Sequence, residues 1–283
     1  MSYRSALSYV LSTTIGPSAE QTSARGRFPR ASVVALGEAG LLGLTVSGHL
    51  GGGGLGLVEA AEVVTEVSRA CPATGAVLRS HYAAVALIEA YGTPWVRRRV
   101  AAGHHLSTLA LTDIGDGGRP DGSNCPAPPT GSPSTGSSST GWAPTGSAVT
   151  RTGDVVALRA QKRDVVAAGE ADSYIWSAPP ADGSGSGSGR PSLWLVPADA
   201  PGLYVPARPN GTGPHGSGTS TVCADPVLIP ASAILGREDG RREDVLSTVI
   251  EWLAALPTAG SAPRGSVSAA PAPAQPVGAE ALA

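Results

Sequence analysis

Chemistry in this chain has few places to come from. The only lysine, Lys162, opens the stretch Lys-Arg-Asp-Val-Val-Ala-Ala-Gly-Glu-Ala-Asp, residues 162–172, which carries more information than any other part of the sequence. Four histidines stand where proton transfer could occur, and each has a plain structural reading. His81 lies in an apolar run and reads as a satisfied core residue. His104 and His105 close a helical stretch, where imidazole favours the negative end of the helix dipole and caps it. His215 falls in a Gly/Pro loop and reads as exposed. No Gly-x-Ser-x-Gly elbow occurs, so a hydrolase triad finds no support. Neither Cys-x-x-Cys nor His-x-x-x-His spacing occurs, which argues against a metal site. Glycines at 51, 53 and 56, and at 211, 213 and 216, satisfy Gly-x-Gly-x-x-Gly. Neither set joins a strand to a helix with a later acidic partner, so both read as chance in a glycine-rich chain.

The elements that must position these residues fall in a clear order. The first hundred residues read as helices. Ala31–Ala39 follows Pro29, is weakened by Gly37 and stops at Gly40. Leu57–Arg69 sets Val63, Val64 and Val67 at helical spacing and turns Glu59, Glu62 and Glu66 to water. Thr74–Ala90, uncharged from Tyr82 to Ile88, reads as a helix buried on most sides. Pro94 starts another helix, with Arg97–Arg99 as its wet face. From Leu106 onward short apolar stretches alternate with Gly- and Pro-rich turns: Val155–Leu158, Val165–Ala168, Tyr174–Trp176, Leu193–Val196 and Val227–Ile229. They read as a small antiparallel β domain. Asp244–Leu256 is a last helix with one apolar stripe, Leu246, Val249, Ile250, Leu253 and Leu256, which its own body or another subunit must cover.

The expected architecture is therefore α+β: an N-terminal all-α domain over 1–105, a small antiparallel β-barrel-like domain over 106–236, and a single helix over 237–257. Gly/Ser/Pro-rich insertions at 115–147 and 181–190 interrupt the β domain, and 258–283 reads as a disordered tail. At 283 residues the chain is long enough for real cores. A formal charge of −2 offers no basic field for nucleic acid or an anionic membrane. No apolar run approaches the roughly 20 residues of a membrane span, and no signal peptide opens the chain. The 3 cysteines are widely scattered, which argues against a disulfide framework and fits a cytoplasmic location.

The order of helices, β domain and helix resembles the acyl-CoA dehydrogenase family over roughly residues 25–256. Phe28-Pro29 followed by 35–44 is similar to the family's entry helix and turn, and 51–57 to its Gly-Gly-x-Gly loop. Leu109–Asp113 resembles the segment that opens the middle domain and lines the flavin. Residues 162–172 resemble the strand in which lysine leads into aromatic-apolar-threonine and then Ala-Gly-x-Ala-Asp. Leu195–Pro197, Ile229-Pro230 and Ile234–Gly236 are later landmarks.

The departures from the family gather around one cofactor. Asp164 stands at the aromatic position and Val166 at the threonine, the two side chains that the resemblance places against the flavin. Gly118 replaces a serine that contacts flavin and acyl thioester, and His215 replaces an arginine. Only the first helix of the family's C-terminal bundle is recognisable, so the usual glutamate base is missing.

The resemblance implies that Leu111 and Thr112 would hold the polar edge of FAD if it is retained, although the replacements point to no cofactor. Gly118 and His215 would line the substrate. Asp164, Asp113 and Glu251 would be the acids or bases, Glu251 falling where some branches carry their glutamate. Three readings follow. One is a repurposed protein that binds an acyl thioester, on coenzyme A or a carrier protein, or a polyketide-like substrate, for isomerisation, dehydration or cyclisation. Another is an FAD-dependent dehydrogenase subunit completed by a partner chain through the 244–256 helix. The third is a non-catalytic pseudoenzyme.

Overall fold

The computed structural model describes residues 2–113, 147–179, 191–206, 212–236 and 245–258. The two Gly/Ser/Pro-rich insertions and the Ala/Pro tail fall, apart from Ser147 and Thr258, outside these residues.

The helical part begins earlier than apolar spacing suggests. α1 (Tyr3–Val10), a π-helical turn (Leu11–Ile15) and α2 (Gly16–Arg25) run on from one another, and Gly26 in the left-handed conformation ends them. Serines and threonines dilute the apolar signal there and have only modest helix propensity. Leu7, Val10 and Ile15 nonetheless reach the helical core with Leu36, Val63, Val67 and Tyr82. Tertiary burial therefore outweighs propensity.

α3 (Arg30–Glu38) closes at Gly40 (φ 73°), where the Leu41 N–H bonds the Leu36 carbonyl and the Gly40 N–H bonds the Gly37 carbonyl. Gly37 does more than weaken α3. A Cβ there would lie 2.4 Å from the Gly103 carbonyl oxygen, so two backbones cross at that point. α4 (Leu57–Ala70) buries Ala60, Val63, Val64 and Val67, and the Glu59 carboxylate caps it at the Gly56 N–H, 2.9 Å away.

α5 (Pro72–Tyr91) is the central helix, buried along most of its length. α6 (Pro94–Ala101) follows it. Arg98 and Arg99 are exposed, but Arg97 is not part of a wet face: its guanidinium clamps Glu89 of α5.

Among the described residues the strands form two sheets and no closed barrel. One contains β1 (Ser107–Ala110), β5 (Ser173–Ala178), β6 (Ser192–Pro197) and β9 (Ile234–Leu235), in the order β1-β5-β6-β9. The other contains β2 (Thr112–Asp113), β4 (Val155–Val165), β8 (Ser220–Pro230) and β7 (Leu203–Tyr204), in the order β2-β4-β8-β7, with β3 (Ala148–Thr152) also on β4. Every pairing is antiparallel except β1 with β5, which is parallel. That departs from the antiparallel expectation because the chain passes through the second sheet between β1 and β5, a crossover of the kind parallel neighbours require.

Trp176, Trp194 and Tyr174 of the first sheet meet Val156, Leu158, Val222 and Val227 of the second. The opposite face of the first sheet, with Ile175 and Leu193, packs on Ala84, Leu87 and Ile88 of α5. A layer covered on both sides explains why β5 is buried at all six positions.

α7 (Val245–Ala255) lies against the same body. Val249 and Leu256 are buried, Leu253 and Trp252 pack beside them, and the Arg79 guanidinium donates to the carbonyls of Leu253 and Leu256. The apolar face expected as a docking surface is thus largely covered by the chain itself. Ile250 is the exception, 59% exposed; the Leu246 side chain lies outside the described set. Cys71 is a free, buried thiol. Cys223 is disulfide-bonded. No described helix is long and apolar enough to cross a membrane.

Candidate functional site

The segments Leu109–Asp113 and Lys162–Asp164 come together along the β2–β4 edge, where Thr112 pairs with Arg163 and Asp113 with Lys162. Lys162 is fully buried. Its Nζ donates to Asp113 Oδ1 at 2.7 Å and to Ser177 Oγ at 2.9 Å, and stands 5.5 Å from the centre of the Trp176 ring. The Ser177 hydroxyl in turn donates to the Leu111 carbonyl at 2.7 Å, and Ser147 donates to Asp113. Burial pushes the Lys162 amine below its ordinary range, and Asp113 opposes that shift. The lysine therefore ties β2, β4 and β5 together, and Asp113 is its counter-ion. As a catalytic acid or base Asp113 is already committed.

Just beyond Lys162 the β4–β8 register slips between Lys162 and Val165. Asp164 sits in this bulge at φ 55°, a left-handed conformation that aspartate tolerates better than most residues. Its side chain is exposed and accepts from the Thr212 N–H (3.3 Å) and the Thr212 hydroxyl (3.0 Å). Val166 is half-buried, and its carbonyl accepts from Thr108 Oγ1 at 2.8 Å. The N–H groups of Ala167 and Ala168 bond the carbonyls of Ser217 and Gly218, so the 212–218 loop clasps this turn.

Leu111 has its carbonyl taken by Ser177 and packs into the cluster that holds Val249 of α7. Thr112 is exposed. His215 faces away from the edge: its Nδ1–H donates to the Ser23 carbonyl at 2.6 Å, over Gly26, where a Cβ would lie 2.5 Å from Nε2. It fastens the loop to the last turn of α2 rather than lining a substrate. Glu251 is exposed on α7. Gly118 lies outside the described residues. The structure thus gathers Leu111, Thr112, Asp113 and Asp164 on one edge and leaves His215 and Glu251 on other elements.

Sequence reasoning did not anticipate the polar seam between α5 and β1. His81 is fully buried; its Nε2–H donates to the Leu42 carbonyl (3.0 Å) and its Nδ1 accepts from the Ser107 N–H (3.2 Å). Ser107 Oγ lies 2.7 Å from Ser173 Oγ, which lies 2.9 Å from His105 Nε2. His105 is therefore a buried member of this network and not the helix cap expected. Beside it the Leu109 N–H donates to Ser80 Oγ (3.2 Å). Thr108 Oγ1 gives its own proton to Val166, so the 2.8 Å bond between Ser80 and Thr108 must run from Ser80. The available signal was a Ser-His pair inside an otherwise apolar helix.

Residues 2–104 match the family model described as acyl-CoA dehydrogenase, N-terminal domain. The chain is a relative of the acyl-CoA dehydrogenases. It is 27% identical over 230 residues to a probable acyl-CoA dehydrogenase, YngJ, of Bacillus subtilis (strain 168), covering 78% of this chain and 54% of that one. It is 28% identical over 230 residues to the human mitochondrial short-chain specific acyl-CoA dehydrogenase, covering 78% and 49%. A solved structure of KijD3 in complex with FMN and dTDP-3-amino-2,3,6-trideoxy-4-keto-3-methyl-D-glucose superposes with a TM-score of 0.67 at 22% identity, covering 90% of this chain and 60% of that one. The chain spans about half the length of the curated relatives it matches.

Acyl-CoA dehydrogenases bind a flavin, and two positions that the family resemblance places against it are altered in this chain, to Asp164 and Val166. An aspartate occupies the position of the wall, where its charge would oppose formation of the reduced, anionic ring. Val166 has no hydroxyl to donate. No chemical step is therefore derived through a flavin.

Proposed function

We propose that this acyl-CoA dehydrogenase relative binds an acyl thioester, or a related polyketide-like substrate, without flavin-dependent α,β-dehydrogenation, and that its described residues form a binding scaffold. One observation carries this reading: the half-buried carboxylates are committed to holding the fold. Asp113 neutralises Lys162, Glu89 pairs with Arg97, and Glu170 pairs with Arg30, while the exposed Asp172 accepts from the Leu106 N–H at 2.7 Å. A base for an α-proton must be desolvated and aimed at its substrate. The other two candidate acids or bases, Asp164 and Glu251, stand in water, which works against the isomerase or cyclase alternative.

The test is titration of the purified chain with coenzyme A and a short acyl-CoA, followed by tryptophan fluorescence and by product analysis. Saturable binding with no flavin and no turnover is expected. Turnover of the thioester by the isolated chain, or failure to bind either ligand, would end the proposal.

A second reading, an FAD-dependent subunit completed by another chain, draws on the outward face of α7, where Ile250 and Glu251 are both exposed. It predicts that flavin and dehydrogenase activity appear only when a helical partner is co-expressed.

A further inference from the structure

The seam between α5 and β1 depends on one imidazole staying neutral. His81 uses Nε2–H to reach the Leu42 carbonyl, which leaves Nδ1 as the acceptor for the Ser107 N–H. The ring is enclosed: His81 and Ser107 are both fully buried, and Ser173 is 2% exposed. A proton on Nδ1 would set two donors against each other. Nδ1–H could turn to the Ser107 carbonyl, 3.3 Å away, but the buried Ser107 N–H would then lose its acceptor and a charge would remain without water.

The groups around the ring do not relieve this. From the turn before β1, His105 adds a like charge when protonated; Arg99 of α6 discourages that protonation. From the residue before β5, Asp172 favours protonation of both imidazoles, but its carboxylate is held by the Leu106 N–H. On α5 itself the neighbouring Tyr82 ring, 5.9 Å away, is neutral and bonded to the Leu41 carbonyl. The neighbouring hydroxyl relay, Ser80 to Thr108 to the Val166 carbonyl, links α5 beside His81 to the 164–168 turn.

We propose that His81 is an acid-sensitive joint: its protonation detaches β1 from α5 and, through Thr108 and Val166, loosens the 164–168 turn. Neutral conditions keep the joint closed. Acid opens it locally, before the sheets themselves separate.

The test is amide hydrogen exchange of the full chain at several pH values, corrected for intrinsic exchange and read at Ser107 and Leu109. Burial holds the His81 imidazole at about 4 against an ordinary 6.5. Exchange through opening should therefore accelerate about 20-fold between pH 7 and pH 5. His81→Gln, whose amide can donate to Leu42 and accept from Ser107 without titrating, should show no such acceleration, whereas His105→Asn should keep it. An acceleration undiminished in His81→Gln, its loss in His105→Asn alone, or a flat wild-type profile would overturn the proposal. Should His81→Gln fail to fold, the ring-carbon NMR titration of wild-type His81 decides. A midpoint well below 6 supports the joint, and one near 6.5 refutes it.

Discussion

The α5–β1 seam and the β2–β4 edge both bring polar side chains to the first sheet, and they differ in where those side chains point. At the seam Ser80, His81, His105, Ser107, Thr108 and Ser173 close on one another and on backbone, inside the protein. At the edge only Lys162 and its partners turn inward, while Thr112, Arg163 and Asp164 face solvent. The seam closes on itself, whereas the edge leaves polar groups in solvent. Polar content alone does not mark a site. What distinguishes the two regions is whether the groups are already satisfied.

The largest expected effect comes from acid acting on the seam. His81 lies well below its unfolded value, so the neutral ring is what the fold selects. Its contribution is present above about pH 6.5 and is lost as pH falls toward 4, a span that amounts to roughly 3 kcal/mol. Urea unfolding at pH 7 and pH 4.5 measures this, and His81→Gln should flatten the difference. Next, Asp113→Ala strands the buried Lys162 ammonium and should cost about 2 kcal/mol or more, whereas Lys162→Met with Asp113→Ala should recover part of that loss. If the single variant proves neutral, the inward half of the edge is not held as described.

Asp164→Val should cost about 1 kcal/mol because a β-branched residue resists the left-handed backbone, while Asp164→Asn should stay within about 0.5 kcal/mol. Equal effects would show that the bulge is not rigid. The smallest change is expected at Glu251→Gln, exposed on α7, whose unfolding midpoint should match wild type.

The sequence made the order of elements legible because helical and strand periodicity survive in α4, α5, β4 and β8, where apolar positions dominate. It did not reveal α1 and α2, whose serines and threonines hide the few apolar residues that anchor them. It put Leu111, Thr112 and Asp113 in one segment and Asp164 in another, both set beside one cofactor by the family resemblance; their shared edge comes from strand pairing. It could not tell that Asp113 belongs to Lys162, a pairing set by strand register. The partner of His215 went unforeseen, and His105 was misread, for a related reason. Each is fixed by a residue far along the chain, Ser23 for one and Ser173 for the other, and local pattern carries no trace of such partners.

We propose that the described part of this acyl-CoA dehydrogenase relative is a scaffold from which flavin chemistry has been lost. The visible absorption spectrum of the purified full chain, with analysis of any cofactor released on denaturation, tests it most directly. The prediction is a colourless protein that releases no flavin, even after incubation with excess FAD or FMN and desalting. A yellow protein releasing near one equivalent of flavin would contradict it.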